Sequence, residues 1–217
     1  MEGSARKLSR RTQEERREEA EHRLLEAAVR IIGKTGVETF TLADVGEAAG
    51  YSRGLPAHYF KTKSGLLAAV VTYLVDHYFR RATFQGRQCI VIDDIVAEVS
   101  SFMEVAKKNP LAAKAFMAAM AGSLTNPALS DAAQKHNAEV IAKYEEGILD
   151  GIKHGEIDSG IRAHSWAIML VAATRGIVSQ WLIHPKKVDL DLLREDLEQA
   201  IRHCFKPRSS AKNARVK

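Results

Sequence analysis

Apolar residues recur along this chain at three- and four-residue spacings, and no convincing segment alternates apolar with polar as a half-buried strand does, so the pattern predicts an all-α protein. Leu24, Leu25, Ala28, Ile31 and Ile32 share one face of a helix expected from Glu14 to Thr35, with Gly36 placed to stop it. Its start, "TQEERREEAEHR", is polar all round and reads as a segment that projects past the core or frays. Thr41 opens a second helix with Asp44 as its capping-box partner; Leu42, Val45 and Ala49 face inward and Gly50 ends it. Ser52 is positioned to cap a third helix running through Tyr59 and Phe60. A fourth extends from Lys63 to Phe84, with Leu66, Leu67, Val70 and Leu74 on its inner face.

Beyond "QGRQ" the helices lengthen: Asp93 to Lys107, Leu111 to Met120, Pro127 to Lys153, Ser165 to Leu182 and Leu190 to Phe205. Breaks fall at Asn109-Pro110, Asn126-Pro127, Gly155 to Gly160 and His184-Pro185, where proline and glycine punctuate the pattern. The organisation expected is about nine helices in two groups: a basic arm over 1–13, a small helical domain over 14–62, a larger one over 63–205 that begins with a connecting helix (63–84), and a disordered basic tail over 206–217.

Charge changes this picture at the ends. The net charge is +5 and the pI about 9.2. Arg6, Lys7, Arg10 and Arg11 lie at one end and Arg202, Lys206, Arg208, Lys212, Arg215 and Lys217 at the other, and without these ten the remainder is acidic. Such ends meet a polyanion or are simply solvated. Cys89 and Cys204 have no metal-ligand spacing and are too few for a disulfide scaffold, which suits a reducing cytosol. The most apolar stretch, "WAIMLVAATRGIVSQWLI", is interrupted by Thr174 and Arg175, so no membrane partner is expected; Arg175 is expected to point to water or to a partner acid. The reading is cytoplasmic.

Two short helices around a glycine, behind a supporting helix, form the arrangement in which the second helix enters the DNA major groove with its N-terminal residues leading. Ser52, Arg53, Gly54 and Leu55 lead here. The guanidinium fork of Arg53 matches the O6 and N7 acceptors of guanine, a pair worth about 1–3 kcal/mol of discrimination. Gly54 lets the backbone approach, His58 lies on the same face, and Tyr59 and Lys63 reach toward phosphates. Thr41 can offer its hydroxyl and a free N–H to a phosphate. With Ser52 as cap, Pro56 would be the fourth helical residue, where it removes only the first backbone hydrogen bond. Many helical bundles contain this pattern without binding DNA.

The stretch "GVETFTLADVGEAAGYSRGLPAHYFKTKSGLL", with Ala27, Ala28, Gly36, Thr41, Ala49-Gly50, Ser52, Gly54, Tyr59-Phe60, Lys63 and Leu66 as markers, closely resembles the N-terminal DNA-binding domain of the TetR family of bacterial transcriptional regulators. The resemblance implies DNA contacts from Thr41, Ser52, Arg53, Gly54, Leu55, His58, Tyr59 and Lys63. Two positions depart from the family pattern: Ala57 stands where an aromatic residue that contacts the DNA backbone is usual, and Pro56 where leucine is usual. The basic arm before Glu14 is a candidate to compensate. The family's larger domain implies a homodimer, a double-stranded DNA operator and a small-molecule effector, and the function expected is a ligand-released repressor. A DNA-binding protein of the same fold without a ligand, and a helical protein-interaction module, stay open as alternatives.

For the dimer interface the sequence offers the wide apolar faces of the last two helices, with Trp166, Met169, Ile177, Trp181, Leu193 and Leu197 among them. For an effector pocket it offers Phe102, Met103, Phe116, Met117 and Met120, with His136 and Tyr144 as polar tips, although Met and Phe at helical spacing also serve as plain core. Catalysis and cofactors are not expected: there is no glycine-rich phosphate loop, metal-spaced His/Cys set or nucleophile elbow. Adjacent Asp93 and Asp94 diverge by about 100° on a helix and read as acids favoured at a helix start. His154 and His164 flank a loop and read as solvated.

Overall fold

The computed structural model of the chain describes residues 12–79 and 91–207. Nine α-helices lie among the described residues: α1 (Gln13–Thr35), α2 (Leu42–Ala48), α3 (Leu55–Phe60), α4 (Lys63–Leu74), α5 (Val91–Lys108), α6 (Pro110–Gly122), α7 (Pro127–Lys153), α8 (Ala163–Ile183) and α9 (Leu190–Phe205). The arm residues Arg6, Lys7, Arg10 and Arg11, the expected continuation of the fourth helix to Phe84, Cys89 and the tail from Arg208 onward lie outside the described residues.

The helix boundaries have local causes. Thr12 and Glu15 form a capping box, Thr12 N–H to Glu15 Oε2 at 2.8 Å and Glu15 N–H to Thr12 Oγ1 at 3.2 Å, and Glu19 pairs with Arg23 one turn on at 2.7 Å. The polar start of α1 is therefore helical, with its N–H donors satisfied, although it buries little. Gly36 and Gly50 follow α1 and α2 with φ of 82° and 77°, values open to glycine at no steric cost. Pro110 and Pro127 open α6 and α7 at the first helical position, where no intrahelical donor is lost.

At Val75 the structure departs from the expected long fourth helix: α4 widens into a π-helical stretch, Val75–Phe79, with both end residues buried. Single π-helical turns are frequent at functional sites.

Two cores result. The first joins α1 to α4 and the π-helical stretch with α6 and the start of α7, through Leu24, Ile32, Val45, Leu66, Val70, Leu74, Phe116 and Leu129. The second joins α5, α7, α8 and α9 through Ile95, Val99, Met103, Ile148, Leu170, Ile201 and Phe205. The helix supporting the small domain packs directly on the larger one: a Cβ on Gly33 of α1 would lie 2.4 Å from the Leu111 carbonyl of α6.

Arg202 belongs to α9 and ion-pairs with Asp93 of α5, so it is not part of a free basic tail. Among the described residues α8 has the length and apolarity to cross a membrane; in the fold it packs on α7, with Thr174 buried and its hydroxyl bonded to the Leu170 carbonyl at 2.7 Å.

Candidate DNA interface and effector cavity

The turn between α2 and α3 exposes Ser52, Arg53 and Gly54 together. Ser52 is not the cap of α3. Gly54 takes that place without a side-chain hydrogen bond, and the Ser52 carbonyl accepts the Leu55 N–H at 3.1 Å. Pro56 is therefore the second helical residue rather than the fourth, where its missing N–H costs no intrahelical bond. It is buried, and packs α3 onto α2 beside Gly46, where a Cβ would meet the Ser52 carbonyl at 2.6 Å and Pro56 Cδ at 3.2 Å.

The side chains named from sequence divide by what already holds them. Arg53 is exposed and ion-paired to Glu47 at 2.9 Å. His58 is exposed with its ring edge-on to Tyr59. Leu55 is half-buried against the first core. The Tyr59 hydroxyl donates to the Arg17 carbonyl at 3.2 Å, tying α3 to α1. Lys63 donates to the Glu38 carbonyl at 2.7 Å and sits 4.5 Å from the Phe40 ring centroid.

Thr41 is less free than expected. Its N–H and hydroxyl both donate to Asp44 Oδ2, at 2.7 and 2.8 Å, and these bonds hold the Asp44 carboxyl below the usual carboxylate range. A phosphate there would have to exchange with Asp44. Sequence reasoning passed over Lys61, which is exposed beside the end of α3 with a left-handed φ of 65°. A lysine directly after the helix's last aromatic, Phe60, was the available signal.

Between α5, α7, α8 and the π-helical stretch lies a cavity of about 170 Å³. Val75, Phe79, Phe102, Val140 and Val171 supply apolar wall; Glu98, His136, Glu139, Lys143, Tyr144, Thr174 and Arg175 supply polar groups. Phe79 stacks on Phe102 and leans on Phe116, with ring centroids 4.8 Å apart in both pairs. Of the residues expected from sequence, Phe102, His136 and Tyr144 line this cavity. Phe116 stands behind the wall, fully buried; Met103 is in the second core, and Met117 and Met120 pack around the first.

The polar lining went unread because Glu98, Lys143 and Arg175 look like solvent positions in sequence. Glu98 and Lys143 pair at 2.6 Å. Arg175 meets neither water alone nor an acid: its Nη1 donates to Asn137 Oδ1 at 2.7 Å and the guanidinium stands 5.6 Å from the Phe116 centroid. Burial draws its pKa below the ordinary arginine range, and the Tyr144 phenol is pushed up, chiefly by burial and also by Glu98.

Comparison with known proteins decides what this arrangement belongs to. Residues 24–70 match the family model described as bacterial regulatory proteins, tetR family, and residues 93–206, more than half of the chain, match that of the BetI-type transcriptional repressor C-terminal domain. The chain belongs to the TetR family of bacterial regulatory proteins. It is 27% identical over 152 residues to the HTH-type transcriptional regulator BetI of Yersinia pestis (strain Pestoides F), covering 59% of this chain and 76% of that one. A TetR transcriptional regulator from Chloroflexus aurantiacus shares its fold at a TM-score of 0.76 and 22% identity, over 87% of this chain and 97% of the other. A protein from Saccharomonospora viridis solved in complex with choline does so at a TM-score of 0.70 and 21% identity, over 88% of this chain and 100% of the other. As a TetR-family member the chain is a DNA-binding transcriptional regulator.

TetR-family regulators function as dimers, and α8 and α9 carry most of the large apolar side chains left exposed among the described residues: Ile168, Met169, Ile183 and Leu192. Ile168, Ala172 and Gly176 follow one another at four-residue steps along α8, all exposed. Of the interface residues expected from sequence, Met169 lies on this open surface and Leu193 is half-buried. Trp166, Ile177, Trp181 and Leu197 pack on their own second core, Trp166 edge-on to Phe205 at 5.0 Å.

Proposed function

We propose that this TetR-family regulator binds a palindromic operator as a homodimer, represses by occluding a promoter, and lets go when a small molecule occupies the cavity beside Phe79. One observation carries the reading: Val75 and Phe79, which wall the cavity, continue directly from α4, and the start of α4 abuts α3. A Cβ on Gly65 would come within 2.3 Å of the Phe60 carbonyl, so the start of α4 lies tight against the end of α3. A ligand that fits one setting of Phe79 better than another shifts the reading helices by its differential affinity.

The DNA side is supported by the exposed Arg53 at the lead of α3 and by Gly54. A Cβ at Gly54 would meet nothing within 4 Å and its φ is −86°, so the fold itself makes no demand for glycine there. Close approach of a DNA backbone does. The choline-bound relative supports a ligand-accepting role for the second domain. The regulator acts in the cytoplasm, where its operator is.

Selection of bound sequences from a random DNA library tests this. The expected product is a palindrome with a guanine fixed in each half-site. Binding without sequence enrichment and with a steep salt slope would mean that the basic ends alone hold the DNA, and would overturn the reading.

A further inference from the structure

Two acids and two bases line the cavity, and one of the bases is left without an acid of its own. Glu98 is matched by Lys143, and Glu139 is exposed. Arg175 is held in place by a neutral amide and an aromatic face, with no carboxylate partner among the described residues. Beside it Tyr144, 7% exposed, lines the same cavity without a hydrogen-bond partner among the described residues. The guanidinium and the phenol O–H are both donors on the cavity wall, where a ligand that carries an acceptor can meet them together.

We propose that the effector is a small organic acid, a carboxylate on a ring-sized apolar body, whose carboxylate is received by Arg175 and Tyr144 while the body lies against Phe79 and Phe102. This rests on the reading of the cavity as the effector site. The size agrees: a cavity of roughly 150 Å³ accommodates a benzene ring, and this one holds about 170 Å³. The geometry also supplies a link to the reading domain, because the apolar body would press on Phe79 of the π-helical stretch. The guanidinium's planar fork suits a carboxylate, and such charge-assisted bonds are about twice as strong as neutral ones.

The test uses the full-length protein with four probes of similar size: phenylacetate, 2-phenylethanol, 2-phenylethylammonium and choline. Binding is measured by calorimetry and operator release by fluorescence anisotropy in parallel. Phenylacetate should bind about tenfold or more tightly than 2-phenylethanol. Arg175→Gln should erase that preference while the alcohol still binds, and Arg175→Lys should retain part of it; circular dichroism establishes that both variants fold. Tyr144→Phe should weaken the acid selectively. A cation binding best, an acid preference untouched by Arg175→Gln, or no probe binding at millimolar concentration each overturns the proposal. Acid binding that leaves operator affinity unchanged would uphold the site and refute the cavity's part in repression.

Discussion

Arg53 and Glu47 form an ion pair at 2.9 Å across the turn between α2 and α3, with both side chains more than half exposed. The residue proposed to read a base is thus held, in the free protein, by an acid from α2. An exposed pair of this kind is worth about 0–1 kcal/mol, too little to hold Arg53 against a guanine but enough to be felt. Glu47→Gln removes both the competing partner and a negative charge beside the DNA. Operator binding should tighten about two- to fivefold, most at low salt, as read by anisotropy titrations at two ionic strengths. Weaker binding would mean that Glu47 orients Arg53 instead of competing for it.

Two close approaches should be intolerant of a single methyl group. Gly46→Ala would force a Cβ to 2.6 Å from the Ser52 carbonyl, and Gly33→Ala to 2.4 Å from the Leu111 carbonyl, in both cases against backbone. Each should cost about 1–3 kcal/mol in urea denaturation, as overpacking does. The consequences should differ. Gly46→Ala disturbs the α2–α3 pair and should weaken operator binding, whereas Gly33→Ala separates α1 from α6 and should chiefly alter how well an effector dislodges the DNA.

Asp44 makes the helix-turn-helix sensitive to acid. Its folded pKa is lowered from 3.8, first by the Thr41 backbone bond and then by the Thr41 hydroxyl. A depressed carboxylate stabilises the fold above its unfolded pKa, and that contribution is lost as pH falls through the folded value. Asp44→Asn should therefore lower the urea midpoint at pH 7. The gap to wild type should close below about pH 4, the ordinary range of an aspartate. A gap that persists undiminished at pH 3 would contradict the assignment.

The face of α8 should show itself through size rather than stability. A Cβ at Gly176 meets nothing within 4 Å in the single chain. Gly176→Arg should leave the protomer folded yet yield a monomer in sedimentation, with operator affinity reduced because two half-sites are no longer bound together. A dimer that survives would direct the interface to Leu192 and the rest of α9.

How far the sequence could be read depended on which residues carried the signal. Proline and glycine fix backbone geometry by themselves, so Pro127, Gly36 and Gly50 marked their boundaries, and α7 and α9 run between the expected residues. The Thr41–Asp44 capping box was visible for the same local reason. Ser52 suits a cap in sequence because serine can cap; the turn instead uses its carbonyl, with Pro56 packed beside Gly46, a tertiary contact that local sequence does not reveal. The π-helical turn at "VDHYF" has no local marker, since those residues also suit an α-helix. In the cavity, apolar Phe102 is legible, whereas Arg175 looks in sequence like a residue for solvent or an acid, because only the packing of α8 against both α7 and α6 brings it to Asn137 and Phe116.

The central claim is that α3 reads bases through Arg53, and a double-mutant cycle on the selected operator tests it most directly. Affinities are measured for wild type and Arg53→Ala on the intact site and on one with the fixed guanine of each half replaced. The account predicts that the base change costs wild type about 1–3 kcal/mol per half-site and costs Arg53→Ala almost nothing. An equal cost in both proteins would show that another residue reads that base.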